Sequence, residues 1–356
     1  MTGPGAWLRV LVAAVVSIGV GVAGVAATGT FDATKGEAGI PIGTNGLALV
    51  MAVALLAGFA AYAIVEWLQT RRLESIARLF DTRTLVLMAL AIPINIILGQ
   101  IVASALRLPV YLDSIGTILV GVLAGPIPGA LTGLLSNLSW TFVLAGTPFG
   151  SPFAWPFAIV AAEIGLLAGV FGSAGVFRSR PNTPLRRLAA GVAIAIAFLA
   201  AVAYWGVLPY YQGSVDLFAP SDQASGVFRV LGSMVLGLLA LAMLGVILRL
   251  VRSRDLGVVV VLVAGVVCGI VSAFIATPIA ALVFGGVTGS GTDLLVAMFQ
   301  QAGSDLTEAV LQQSLISDPI DKAIAYVVVF IVLAGASRRV TARFPQGERA
   351  LGTVED

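Results

Sequence analysis

Residues 257 to 285 read GVVVVLVAGVVCGIVSAFIATPIAALVFG, a run without one Asp, Glu, Lys or Arg. An α-helix crosses a hydrocarbon core of about 30 Å with roughly 20 apolar residues, so this stretch spans a bilayer with length to spare. Thr277-Pro278 marks a kink inside it, because proline removes one rung of the helical ladder. The rest of the 356-residue chain has the same character: 59% of its residues are hydrophobic, 11% are charged, and the mean hydropathy is +1.03. Those values lie far outside the averages of soluble domains. The expected fold class is therefore all-α, a polytopic transmembrane helical bundle.

Composition also removes much chemistry. A net charge of +2, with basic residues scattered between apolar stretches, gives no footprint for nucleic acid. Cys268 is the single cysteine and there is no histidine, which rules out an internal disulfide, a histidine-based triad, an HExxH zinc site and a histidine proton relay. No metal, cofactor or enzymatic activity is expected.

Working outward from 257 to 285, about ten candidate spans appear, near residues 7 to 27, 45 to 68, 85 to 106, 114 to 124, 130 to 145, 154 to 176, 188 to 208, 228 to 250, 257 to 285 and 321 to 336. Under an arrangement with the N-terminus inside, Arg9, the connector arginines from Arg71 to Arg83, those from Arg178 to Arg187, Arg249, Arg252, Arg254, and Arg338 to Arg349 all fall inside. Only Lys35, Arg107, Arg229 and Lys322 fall outside, a bias that matches the positive-inside rule. The outer segments carry Asp32, Glu37, Asp113, Asp293, Asp305 and Asp318 among others. That acidic face is either a cation-attracting vestibule or simply what remains when translocated loops lack Lys and Arg.

The stretch Tyr111 to Trp140, YLDSIGTILVGVLAGPIPGALTGLLSNLSW, reads as a helical hairpin lined by small residues. Gly121, Gly125, Gly129 and Gly133 recur every four residues, which lets backbones approach closely. The run Gly125-Pro126-Ile127-Pro128-Gly129 is expected to force a turn, with the next helix starting near Ala130.

An acidic residue, a short helix, Gly-Pro, a glycine-rich helix and then Asn, here Asp113, Gly125-Pro126, Gly129, Gly133 and Asn137, resembles the substrate-binding S components of energy-coupling factor vitamin transporters. The closing segment Asp318-Pro319-Ile320-Asp321-Lys322, a last helix and Ser337-Arg338-Arg339 look similar to the end of such proteins. The resemblance covers roughly 85 to 177 and 257 to 345. It implies a six-helix core holding a vitamin or related micronutrient near the outer surface, in a bacterial plasma membrane with both termini cytoplasmic. It also implies partners: a membrane coupling subunit and cytoplasmic ATPase subunits. Residues 1 to 84 would then be two additional helices with a basic connector, 85 to 345 the S-component-like domain with an extra helix pair within 188 to 250, and 346 to 356 a short cytoplasmic tail. No GxxxxGK[ST] run occurs, so nucleotide-driven transport would draw on another polypeptide.

The candidate substrate-binding residues are Asn95, Gln100, Asn137, Trp140, Trp155 and Glu163. Asn95 and Gln100 follow Pro93 in a membrane span, where they either contact substrate or knit helices together. Glu163 lies near mid-helix, where a carboxylate is costly and pairs with a substrate amine, is protonated or meets a neighbouring helix. Trp140, Phe149, Phe153 and Trp155 suit stacking on a flat ligand, or equally an interfacial aromatic belt. Asp113 is expected to cap the helix it precedes. Residues 287 to 319 are expected to form short amphipathic helices that serve as a lid over the pocket. A solitary secondary carrier and a membrane sensor or scaffold are the competing functional readings.

Overall fold

The computed structural model describes residues 6–28, 43–71, 80–105, 110–201, 204, 244, 252, 254–301 and 303–352, and over these the chain is helical with no strand. Among the described residues, three helical stretches are long and apolar enough to cross a membrane: Thr82–Ala103, Trp155–Ser173 and Gly257–Phe284. The expected span at 228 to 250 apart from residue 244, the outer segment at 210 to 226, most of the basic connector, Asp32, Lys35, Glu37 and Arg107 lie outside the described residues.

Helices α1 (Ala6–Thr28) and α2 (Gly43–Thr70) pack as an antiparallel hairpin. Arg9 closes it, 3.3 Å from the Glu66 carboxylate and donating to Gln69 Oε1 at 2.7 Å. Helix α3 (Thr82–Gly99) starts where the Asp81 side chain accepts the Thr84 amide, runs through Pro93 without ending, and loosens into a π-helical turn at Gln100–Ala105. The irregularity thus falls at Gln100, beyond the proline.

Next come α4 (Ile115–Ala124) and α5 (Pro126–Leu138), the latter continuing as a π-helical turn over Ser139–Val143. The turn between them is Gly125 alone, at φ 113°, and not the five-residue break expected from the two prolines. The reason is positional: Pro126 and Pro128 occupy the first turn of α5, where the missing amide hydrogens would have had no helical partner. A 3₁₀ turn at Trp155–Phe157 leads into α6 (Ala158–Ser173), followed by α7 (Leu185–Ala201) and α8 (Gly257–Phe284). Helix α9 (Asp293–Gln301) is short and amphipathic as expected, but α10 runs unbroken from Leu306 to Gly335 through Pro319. Residues 306 to 320 are therefore the first half of the last long helix and not a separate surface segment. Asp305 sets its start by accepting the Glu308 amide at 2.8 Å. Two short helices, α11 (Arg338–Thr341) and α12 (Gly347–Leu351), finish the described chain.

The small-residue hairpin has a receiver. A methyl group on Gly129 would lie 2.6 Å from both Gly121 Cα and the Gly165 carbonyl oxygen, and one on Gly133 would lie 2.1 Å from the Ala161 oxygen. So α4 and α5 meet α6 along Ala161, Gly165 and Gly169, backbone against backbone. Helices α8 and α10 approach in the same way, Gly265 on Ala323 and Gly269 on Pro319.

The segments after α6 and before α8 join where Asp255 accepts from Ser179 Oγ at 2.5 Å and from the Arg180 amide at 2.6 Å. Nearby, Gln346 reaches the Leu123 and Gly169 carbonyls, Arg178 the Arg349 carbonyl, and Arg83 the Arg343 carbonyl. Basic segments distant in sequence thus share one end of the bundle, and residues 346 to 352 belong to its packing instead of trailing as a tail.

Adding one methyl group tests the central contact. Gly165→Ala is expected to cost about 1–3 kcal/mol by overpacking, read as a lower melting temperature of the full chain in lipid. Gly19→Ala, where nothing lies within 4 Å, is expected to be neutral or to gain up to about 1 kcal/mol.

Candidate functional site

At the end of the bundle opposite the basic segments lies a cavity of about 290 Å³. Its walls come from the π-helical turn after α3, the Tyr111–Ser114 segment, α5, the loop before α6, α6 itself, α8, the loop leading into α9, and the first half of α10. One junction positions several of these. Asp321, 0% exposed, accepts the amides of Tyr111 at 3.0 Å and Leu112 at 2.7 Å through Oδ1, and its Oδ2 lies 2.5 Å from Lys322 Nζ. Leu112 sits at φ 53°, a left-handed conformation that a branched side chain adopts only when held. The Asp321 carboxylate is what holds it.

Lys322, 4% exposed, also donates to Ser114 Oγ at 3.2 Å and lies 3.6 Å from Asp113. Asp113 thus pairs with a cation 209 residues away and does not cap α4, whose N-cap residue, Ser114, makes no side-chain capping bond. On the same wall stands Asp318, with Gln313 bonded to Ser317 at 2.5 Å. Across from the junction, Tyr111 Oη meets Thr292 Oγ1 at 2.9 Å and Ser290 Oγ at 3.2 Å. Burial pushes the Tyr111 phenol up to about 12, so it enters this network as a neutral hydroxyl. Asp293 ties the loop below α8 by accepting from the Thr288 amide, the Thr288 hydroxyl and the Gly289 amide at 2.8–2.9 Å. Burial raises its carboxyl above the usual range, and those donors oppose the rise.

Three of the six expected residues line the cavity: Gln100, Asn137 and Trp140. The Gln100 backbone N–H donates to the Ile96 and Ile97 carbonyls, but among the described residues its side-chain amide has no hydrogen-bond partner, which leaves it available to a ligand. Asn137 donates to the Ala154 carbonyl at 3.1 Å and Trp140 to the Phe149 carbonyl at 2.9 Å, so both also fasten the loop that roofs the site. Asn95 lies away from the cavity. It is 1% exposed, donates to Thr117 and Ser136, and accepts the Gly116 amide, so it joins α3, α4 and α5. Trp155 stands outside the walls too, its ring 6.3 Å from Phe142.

Glu163 is not among the walls but bonds one that is, Ser272, at 2.8 Å, with Cys268 Sγ at 4.0 Å. Of the expected aromatic cluster, Trp140 and Phe153 face the cavity, while Phe149 is 61% exposed and does not. Phe157, not anticipated, lines the cavity and stacks on Phe284 at 5.7 Å.

No family model, curated protein or solved structure matches this chain.

The residues missed by sequence reasoning are Tyr111, Ser114, Gln313, Asp318, Asp321 and Lys322. A signal was present: Asp318 and Asp321 are spaced by three on one helix, with a lysine adjacent, inside a stretch otherwise too apolar to tolerate charge.

Removing one partner of the buried pair is the direct probe of this junction. Asp321→Ala is expected to cost roughly 3–5 kcal/mol, since it strands two amide hydrogens and leaves the ammonium only its more distant partners, Asp113 and Ser114. Asp321→Ala combined with Lys322→Met is expected to recover part of that loss in a thermal unfolding series.

Proposed function

We propose that this chain is the substrate-capture membrane subunit of an energy-coupling factor type importer for a vitamin or related micronutrient. Separate cytoplasmic ATPase subunits, reached through a membrane coupling subunit, would power it. The observation that carries this reading is the cavity. It combines aromatic walls, a few convergent polar groups and a rigid buried junction, the usual make-up of a small-molecule site. It also lies at the end remote from the basic segments. In a ten-span arrangement in a bacterial plasma membrane, with both termini cytoplasmic, that basic end faces inward and the cavity faces outward. Partner-driven conformational change then gives release its direction, because ATP hydrolysis favours a state in which the ligand is held less tightly.

A solitary secondary carrier is the second reading, and Glu163 favours it. A carboxylate within an apolar helix, bonded to Ser272 of the cavity wall, is a group that ion-coupled transport could use.

The two separate on extraction of the tagged full-length chain from its native membrane, with mass spectrometry of what accompanies it. ATPase subunits and a second polytopic membrane protein in stable ratio are the expected result. A reproducibly solitary chain, with uptake abolished by collapsing the ion gradient, would replace the importer with the carrier.

A further inference from the structure

The cavity carries more negative charge than its own walls answer. Lys322 is the one cation among the described lining residues, and its ammonium is already committed to Asp321 at 2.5 Å, Ser114 at 3.2 Å and Asp113 at 3.6 Å. Asp321 alone neutralises it. Asp113 shares the same ammonium, and Asp293 is answered by the dipoles of its loop.

Asp318 is compensated less: the Lys322 ammonium, one helical turn along α10, offsets its burial only in part and makes no ion-pair contact with it. It is 7% exposed and lines the cavity, yet the one donor to its carboxylate is the neighbouring Ser317 hydroxyl, 3.4 Å from Oδ1. Its Oδ2 has no donor among the described residues. A carboxylate withdrawn from water in this way is costly unless something positive or hydrogen-bonding meets it. Elsewhere the cavity is lined by Trp140, Phe153, Phe157, Val296 and Val310, surfaces that suit an apolar or aromatic body and, at the rings, a positive charge.

We infer that the cavity takes a small organic cation, an ammonium or charged heterocyclic nitrogen on an apolar or aromatic body, with Asp318 as its counter-ion. An anion would meet Asp113, Asp293 and Asp318 with no free cation to receive it. A neutral ligand would leave Asp318 to take up a proton, as its burial favours, whereas a cation keeps it ionised. A metal ion does not suit a cavity walled largely by carbon, and among the described residues no group of three acidic, cysteine or histidine side chains converges to bind one. The inference rests on reading this cavity as the capture site.

The test uses purified full-length protein in lipid nanodiscs, unfolded thermally with four matched probes at equal millimolar concentration: benzylammonium, benzyltrimethylammonium, benzyl alcohol and benzoate. The two cations are expected to raise the melting temperature, and the alcohol and benzoate to leave it unchanged. Asp318→Asn is expected to weaken the cations at least tenfold, while Glu348→Gln, an exposed charge at the other end of the bundle, keeps the full shift. The comparison among probes on the unmodified chain stands even if the Asp318 variant folds poorly. A preference for benzoate, equal shifts from all four, no shift from any, or a cation shift that survives Asp318→Asn undiminished would each overturn the assignment. None of these outcomes bears on recovery of ATPase partners, so the cation assignment and the importer reading fail separately.

Discussion

The carboxylate of Asp321 accepts two consecutive amide hydrogens, those of Tyr111 and Leu112, on one oxygen and holds the Lys322 ammonium on the other. That arrangement joins the middle of the last long helix to the entry of α4, and it fixes a leucine in a left-handed conformation it would not hold alone. In an apolar surrounding, a charge pair of this kind persists only when every lone pair and proton is used. Here three donors reach the carboxylate and three acceptors surround the ammonium, and the geometry that follows sets Asp113, Ser114 and Tyr111 along one side of the cavity and Asp318 one helical turn away from the pair. The polar groups of the site are thus consequences of a structural ion pair.

The second constraint is space. Association of helices in an apolar medium gains little from hydrophobic burial, so it depends on close van der Waals contact and satisfied polar groups. The α4–α5 hairpin lies on α6 with glycine against glycine, at separations where a single methyl group would collide with a carbonyl oxygen. Asn95 complements this packing by spending its whole amide on three neighbouring groups from α4 and α5. At the far end Gln346 does similar work for the Leu123 and Gly169 carbonyls. The loop before α6 and the loop before α9, each fastened by its own hydrogen bonds, complete the wall. They meet where a side chain on Gly289 would contact the Phe153 ring.

Much of this was legible in the chain. The apolar runs gave the helices α1, α2, α3, α6 and α8 nearly to their ends, and the four-residue glycine repeat announced a close-packed hairpin. Other features resisted for physical reasons. Proline is a breaker inside a helix but an ordinary residue in its first turn, so Pro126 and Pro128 read as a turn while belonging to α5. Pro319 read as a boundary, yet α10 passes through it, and the facing Gly269 leaves room for the approach. Asp113 offered a local capping role, and its actual partner lies across the fold. Nothing in local spacing reveals a contact at that separation. Asn95 read equally as a substrate contact or a link between helices, and Glu163 as a carboxylate costly inside a helix; whether such a group meets a ligand or a neighbouring helix depends on three-dimensional placement alone.

The account stands on the cavity being a ligand site in the assembled membrane protein. The most direct measurement is an electron cryomicroscopy reconstruction of the chain extracted gently from its native membrane. The account predicts non-protein density between Trp140, Phe157 and Asp318, with an atom about 3 Å from the Asp318 carboxylate. A cavity collapsed by its own side chains, with the Asp318 carboxylate paired to another protein group, would contradict it.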